Sequence, residues 1–271
     1  RAVLRAVYRV LKALVSGFPQ MQNDLVPSIP KMVEHVEKDL IAYDVTPTGC
    51  ITAVLRDNRS ACALMPLSAI RKFVQLAAKK QAPRFLRFLG EICRPAGVAI
   101  KRNCQLVAQA LGSKEEALLL FNSTEGMEER AALIAARDLE TNPRGKLAYH
   151  IEAVGLLGTL VTGINNPNIE QMVRETLPLD EVVSHLLLTD LPTPLRANYL
   201  RLLDEAYLVT AKPLINDLAT DDFVELLVSL EARIAAFVAR VDAADDVDLE
   251  DGETQEAQEA EAEASFLLDD V

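Results

Sequence analysis

Apolar side chains recur three and four residues apart along much of this chain, the spacing that places them on one face of an α-helix. The pattern is clearest from Arg84 to Leu111, where two apolar series flank a short break. The first series is Phe85, Leu86, Phe88, Leu89 and Ile92, and the second is Ile100, Leu106, Val107, Ala110 and Leu111. Pro95 cannot donate a backbone hydrogen bond and Gly97 tolerates a positive φ, so the break ends one helix before the next begins. The stretch predicts a helical hairpin.

The same pattern extends over the rest of the chain, where proline, glycine and asparagine mark the helix ends. The predicted helices are Ala2–Ser16, Ile29–Tyr43, Thr48–Asn58, Pro66–Lys80, Pro83–Arg94, Ala99–Leu111, Lys114–Phe121, Glu128–Leu139, Arg144–Gly163, Ile169–Thr176, Leu179–Leu188, Pro194–Val209 and Lys212–Arg240. A two-residue alternation long enough to predict a strand is absent from the sequence. Short turns between many helices favour an all-α fold of armadillo-like stacked repeats, an α-solenoid. A compact all-helical bundle is the alternative.

The first helix carries an apolar stripe that we expect to be buried, with its basic residues outside. The stripe is Val3, Leu4, Val7, Val10, Leu11 and Leu14, and the basic residues are Arg5, Arg9 and Lys12. A stretch that is amphipathic, basic and free of acids is also typical of a mitochondrial transit peptide. The chain starts at Arg1 without a methionine, which suggests a piece of a longer protein.

Composition is consistent with a large helical core, since half of the 271 residues are apolar, 5% are aromatic and tryptophan is absent. No uninterrupted apolar run approaches the ~18 residues of a membrane-spanning helix, so we expect no membrane insertion by this chain.

The formal net charge of -12 arises at the carboxyl end, because 13 of the 40 acidic residues and none of the 28 basic residues lie from Asp242 onward. The body is therefore close to neutral. Residues 242–271 have too much like charge and too little apolar surface to fold, which predicts a disordered linker or tail. Contact with calcium or with a basic surface is the functional alternative, although the acids do not keep the register of an EF-hand loop.

One basic segment stands out within the neutral body. Between Arg71 and Arg102 lie nine basic residues and a single acid, Glu91. The candidate inter-domain contact surface comprises Lys79, Lys80, Arg84, Arg87, Lys101 and Arg102. A solvated helix face is the alternative. The neighbouring aromatics Phe73, Phe85 and Phe88 fit apolar helix faces rather than a base-stacking platform, so nucleic-acid binding is not expected.

Residue types that carry catalysis or bind metals are present but scattered. The cysteines Cys50, Cys62, Cys93 and Cys104 form no CxxC pair and have no histidine at ligand spacing, so we expect free thiols and no zinc. The histidines His35, His150 and His185 belong to no catalytic motif. We expect neither an enzyme nor a cofactor, and we interpret Tyr149 and His150 as a structural pair at a helix start.

Beyond these general features, the sequence of the hairpin resembles the RIH domain of inositol 1,4,5-trisphosphate receptors and ryanodine receptors. The matching positions are Phe88, Leu89, Ile92, Cys93, Gly97, Ile100, Asn103, Gln105 and Leu106. Three further blocks follow in the family's order, at residues 149–160, 177–183 and 196–207. The resemblance covers roughly Val7 to Val238, is weak before Arg71, and is closer to the central helical region of the inositol trisphosphate receptor.

The resemblance implies an RIH-type domain over residues 1–241. It implies a cytosolic regulatory domain of an intracellular calcium-release channel, at the endoplasmic reticulum or a related calcium store, that relays conformational change from the ligand-binding region to the pore. The implied partners are other domains and subunits of a homotetrameric channel. The family's ligand site requires a β-trefoil that this sequence lacks, so we expect no inositol trisphosphate binding by this chain alone. The alternative is a soluble armadillo-type adaptor that binds acidic peptides or partners.

Overall fold

The structure is a computed structural model, and it describes residues 2–37, 47–209 and 220–247. Two compact units divide the chain, residues 1–215 and residues 216–271. Every regular element in the described ranges is a helix, so the all-α, armadillo-like stack of helices that the sequence predicts is confirmed. The helices of the first unit are α1 (Ala2–Val15), α2 (Pro19–Leu25), α3 (Ile29–Glu37), α4 (Pro47–Leu55), α5 (Arg59–Ala63), α6 (Leu67–Lys80), α7 (Pro83–Cys93), α8 (Lys101–Gly112), α9 (Thr124–Ala135), α10 (Asp138–Thr141), α11 (Lys146–Val161), α12 (Pro167–Thr176), α13 (Leu179–Leu187) and α14 (Thr193–Leu203).

Short turns of other helical types complete the first unit. Within the described residues, 3₁₀ turns lie at Val26–Ser28, Pro95–Gly97 and Glu115–Ala117, and a π-helical turn at Asp204–Leu208 follows α14. The second unit contains α15 (Asp221–Val247). This helix continues through the first six residues of the segment expected to be a disordered tail, and residues 248–271 lie outside the described part.

The predicted hairpin forms as expected. Helix α7 ends at Cys93, and the chain turns through Ala96 at φ 51° and Gly97 at φ 76° before α8 begins. The first apolar series and Cys93 are buried, with Phe88 only 3% exposed. The Phe73 ring lies 4.1 Å from the Phe88 ring between centroids, so these aromatics are core, as predicted.

Several predicted helix boundaries differ from the structure. The helix expected at Thr48–Asn58 ends at Leu55, because the chain reaches φ 54° at Asp57. Helix α5, which was not predicted, follows, and the Asn58 side chain caps it by accepting from the Ala61 amide. The helix predicted at Lys114–Phe121 is reduced to the 3₁₀ turn Glu115–Ala117. Helix α2 was not predicted. The ends of two other predicted helices, at residues 38–43 and 212–219, lie outside the described residues.

The buried stripe predicted for α1 is wrong. Four of its six members are largely exposed: Val3 at 77%, Val7 at 45%, Val10 at 58% and Leu14 at 49%. Instead, Tyr8 and Val15 are buried, and the Tyr8 hydroxyl is 2.7 Å from Nδ1 of His35 on α3. Helix α1 packs against α4 and α2. With Tyr8 in contact with His35, the buried face of α1 lies to one side of the predicted apolar stripe and not along its centre.

Helix α11 is central to the first unit, because it packs against both α7 and α14. Ten of its 16 residues are buried. Close approach to α14 requires Gly155, where an added Cβ would lie 2.9 Å from Nδ2 of Asn198. That amide donates to the Ile151 carbonyl at 2.9 Å, so α14 is hydrogen-bonded to the backbone of α11 at the point of contact.

Replacing Gly155 tests this contact. Gly155→Ala should lower the free energy of unfolding by about 1 kcal/mol. The new methyl group displaces the Asn198 amide from the Ile151 carbonyl, and the loss of about 1–3 kcal/mol exceeds the gain of about 0.5–1 kcal/mol from replacing a helical glycine. Gly90→Ala is the matched control, since a Cβ at this helical glycine has nothing within 4 Å and should stabilise α7 by about 0.5–1 kcal/mol. Urea unfolding followed by circular dichroism measures both. Equal effects of the two substitutions would show that the α11–α14 approach is not restrictive.

Candidate contact surface

The structure divides the six basic residues of the candidate surface between two ends of α6. Lys79 and Lys80 lie in the last turn of α6, and Arg84 and Arg87 follow on the first turns of α7. Arg102 reaches the other end of α6, where its Nη1 donates to the Met65 carbonyl at 3.1 Å. A 14-residue helix is about 21 Å long, so Lys101 and Arg102 do not join the other four in one surface. We therefore define the basic end as Lys79, Lys80, Arg84 and Arg87.

Residues of the basic end differ in their own contacts. Lys79 is exposed. Arg87 is exposed on α7 and forms an ion pair with Glu152 of α11, its Nε donating to Oε1 at 2.9 Å. The Arg84 guanidinium carbon lies 5.0 Å from the centroid of the Phe85 ring. The charge of Arg87 is thus directed to another helix of the same unit, and Lys79 presents its charge to solvent.

Arginines near the turns serve a structural purpose that charge counting does not reveal. Arg94 donates to the carbonyls of Thr162 at 2.6 Å and Gly97 at 2.7 Å. Arg59 donates to the carbonyls of Val98 and Ala99, both at 3.1 Å. Guanidinium groups offer several donors in a fixed plane, which suits them to the carbonyls that helix ends and turns leave unpaired. These arginines fasten the turn after α7 to α5 on one side and to the end of α11 on the other.

A buried polar cluster that the sequence did not predict lies where α9, α11, α13 and α14 meet. Arg130 of α9 is 3% exposed, and its Nη2 is 3.5 Å from Nδ1 of His185 on α13. His150 of α11 donates from Nδ1 to the Leu119 carbonyl at 2.8 Å, and its Nε2 is 3.3 Å from the Tyr199 hydroxyl. A lone arginine in a polar helix gives no sequence signal for burial, whereas His150 was expected to be structural.

The two buried histidines of this cluster are uncharged at neutral pH. Burial lowers the pKa of His150 to about 3, and the charge of Arg130 lowers it further. The hydrogen bond to the Leu119 carbonyl acts in the opposite direction and raises this pKa. Burial and the Arg130 charge lower the pKa of His185 to about 4. A neutral imidazole can accept from a guanidinium, whereas an imidazolium would repel it. The arrangement suits a structural cluster that depends on pH.

The four cysteines are free and buried, as predicted. Burial raises the pKa of Cys50 to about 11 and, with the charges of Glu91 and Asp57, that of Cys62 to about 12, so both remain thiols. In the described ranges no three histidine, cysteine or acidic side chains are grouped as metal ligands. None of the helices described is both long and apolar enough to span a membrane.

Comparison with known proteins supports the resemblance seen in the hairpin. The family model of the RIH domain matches residues 1–122. The chain is 24% identical over 209 residues to the inositol 1,4,5-trisphosphate receptor itr-1 of Caenorhabditis elegans, an alignment that covers 75% of this chain and 7% of the relative. The match includes α1 to α5, where we had found the resemblance weak. Residues 1–122, which include α1 to α8, are therefore similar to the RIH domain.

Proposed function

We propose that this chain is a cytosolic domain of an inositol trisphosphate receptor-like calcium-release channel, and that it relays conformational change between the ligand-binding region and the pore. The RIH match and the similarity to a nematode receptor support membership of such a channel. Both relationships are to channel proteins, so a non-enzymatic role fits them. The chain spans about 7% of that relative, and the activity therefore belongs to a much longer protein.

The observation that carries the relay is the packing of α11 against α7 and α14. Helix α7 lies within the 122 residues matched by the family model, and α14 lies beyond them. Arg87 pairs with Glu152, and Arg94 donates to Thr162, so polar contacts join α7 and the turn after it to both the middle and the end of α11. Stacked helices with their own packed cores move as rigid bodies, which lets a displacement at one end reach the other.

Location and partners follow from the same proposal. The domain would lie on the cytosolic face of the endoplasmic reticulum or a related calcium store, in contact with other domains and subunits of a homotetramer. Within the candidate surface, the basic end is the better contact site. Lys79 there is exposed, and neighbouring bases concentrate positive charge where acidic partners would bind.

The adaptor alternative receives less support. A soluble protein that binds acidic peptides through one basic surface would require the six bases to lie together. They lie at two ends of α6, and Arg102 donates to backbone carbonyls of Ala63 and Met65.

A charge exchange between α7 and α11 tests the relay in the full-length channel that contains this chain. Arg87→Glu should place two carboxylates opposite each other, weaken the contact and reduce calcium release evoked by inositol trisphosphate at least twofold, with ligand binding unchanged. The combined change Arg87→Glu and Glu152→Arg should restore release. Calcium flux from permeabilised cells and radioligand binding measure the two quantities separately.

Lys114→Glu provides the matched control, because this exposed base lies just after α8, outside the candidate surface, and changes the net charge equally. It should leave release unchanged. Normal release with Arg87→Glu alone, or failure of the exchanged pair to restore it, would contradict the relay through this contact.

A further inference from the structure

Helix α15 (Asp221–Val247) has 27 residues, a length of about 40 Å. One face of this helix is covered. Leu226 on that face is fully buried, and the half-buried side chains that follow it at helical spacing are Leu230, Arg233 and Phe237. A neighbouring face is exposed although it is largely apolar. Its apolar side chains are 48% to 64% exposed, and they are Val224, Leu227, Ile234 and Val238.

The exposed face of α15 has the spacing of a coiled-coil seam. Its positions lie at 224, 227, 231, 234 and 238, so they are separated by three, four, three and four residues. A mean spacing of about 3.5 residues keeps one narrow stripe against a second helix, whose side chains interlock with it. We name these five residues the α15 seam: Val224, Leu227, Glu231, Ile234 and Val238. The spacing indicates that the partner is itself a helix.

Glu231 is the central member of the α15 seam, and its side chain is exposed. Side chains three and four residues away on a helix are its neighbours, and for Glu231 these are Leu227, Val228, Ile234 and Ala235. No base on α15 therefore occupies a position from which it could pair with this carboxylate. A carboxylate that is covered by an apolar partner loses its water without gaining a cation, which is strongly unfavourable. Charge complementarity thus requires a base on the partner, opposite Glu231.

A second copy of α15 does not meet this requirement. Because Glu231 lies at the middle of the seam, a parallel pair in register and an antiparallel pair centred on the seam both place it against its counterpart. Two carboxylates buried side by side repel each other. An anionic membrane surface fits no better, since the charge within the apolar stripe is negative. The seam therefore favours a helix of different sequence.

We propose that the α15 seam binds an amphipathic helix of a partner protein, which has apolar residues at the same spacing and a lysine or arginine opposite Glu231. The apolar pairs on both sides of the ion pair supply the burial. The ion pair fixes the register, because a shift by one heptad would place Glu231 against an apolar side chain. The proposal uses none of the residues of the relay contact between α7 and α11, so the two can be tested separately.

The test uses the full chain and two synthetic helical peptides of about 21 residues, or three heptads, as probes. Both peptides have isoleucine and leucine at the seam positions and uncharged residues elsewhere, and they differ only at the central seam position, which is lysine in one and glutamate in the other. Fluorescence anisotropy of the labelled peptides measures binding. The lysine peptide should bind saturably and at least tenfold more tightly than the glutamate peptide. Equal affinity of the two peptides, or no binding of the lysine peptide, would overturn the proposal.

Glu231→Lys should reverse the preference, so that the glutamate peptide binds at least tenfold more tightly than the lysine peptide. The matched control is Glu225→Lys, which changes the net charge equally at an exposed position of α15 outside the seam and should keep the preference for the lysine peptide. Far-ultraviolet circular dichroism checks that both variants fold. The same loss of preference in both variants would assign the effect to net charge and reject the proposal. Sedimentation of the chain alone tests the other occupant, because dimers that Leu227→Asp disperses would place a second copy on the seam and also reject it.

Discussion

Acidification from pH 7.5 to pH 5 should lower the free energy of unfolding by roughly 4 kcal/mol through two buried histidines. The pKa of His150 falls to about 3 in the folded chain and that of His185 to about 4, from an ordinary value of 6.5. Below pH 6.5 the unfolded chain therefore binds protons that the folded chain excludes, and stability falls as pH falls. Each histidine contributes about 1.4 kcal/mol per pH unit within this window.

The pH range above 5 is chosen because carboxyl groups titrate mainly below it. The pKa of Glu91 and that of Glu181 are raised by burial, so these carboxyls gain protons in the folded chain first and oppose the histidine effect at lower pH. Urea unfolding at half-unit steps between pH 7.5 and pH 5 gives the slope. A flat profile across these steps would mean that the cluster admits protons while folded.

Single substitutions separate the two histidines. His150→Gln and His185→Gln should each reduce the slope by about half, because each removes one group that titrates between the two states. Both variants should also be less stable at pH 7.5, since the His150 contact to the Leu119 carbonyl and the contact between His185 and Arg130 are altered. Identical slopes in the variants and the unaltered chain would assign the acid sensitivity to other groups.

The sequence predicted those parts of the fold in which periodicity and burial agree. The α7–α8 hairpin follows directly from apolar spacing, proline and glycine, because one face of each helix is fully buried. The buried face of α1 was not predicted correctly, because apolar residues cover more of this helix than the face that it buries. Which part of that apolar surface is covered depends on the Tyr8 contact to His35, 27 residues away. Periodicity within one helix carries no information on such a partner.

The sequence predicts how many basic residues the candidate surface has, but not how they are arranged in space. Counting bases identifies a basic segment, but the acceptors of Arg59 and Arg102 are backbone carbonyls 37 to 40 residues away in sequence. Backbone carbonyls occur at every residue and leave no signal. Arg130 is recognisable only once α9 is placed beside His185.

Two positions of the family pattern, Asn103 and Gln105, differ in burial, and this difference separates a structural position from a surface position. Asn103 is 0% exposed, and its Nδ2 donates to the carbonyls of Cys62 and Ile92, both at 2.8 Å. The residue thus connects α5 and α7 through α8. Gln105 is exposed on the same helix. Both were matched to the RIH domain by sequence, although the structure gives a packing reason for Asn103 alone.

Asn103→Leu should lower the free energy of unfolding by roughly 1–3 kcal/mol. The substitution keeps the branched shape of the side chain but removes the donor to the buried Ile92 carbonyl, and a buried carbonyl left without a partner costs about 1–3 kcal/mol. The Cys62 carbonyl still accepts from the Met65 amide at 3.1 Å. Gln105→Leu, two residues further on, should change stability by less than about 0.5 kcal/mol, because its side chain is at the surface. Urea unfolding of the two variants gives the comparison. Should Asn103→Leu cost under about 0.5 kcal/mol, the Ile92 carbonyl must find another donor, and Asn103 would then require a functional explanation. If Asn103→Leu destabilises the chain and Gln105→Leu does not, the pattern position at Asn103 is a determinant of the fold, and Gln105 is the position at which a contact with a partner surface should be sought.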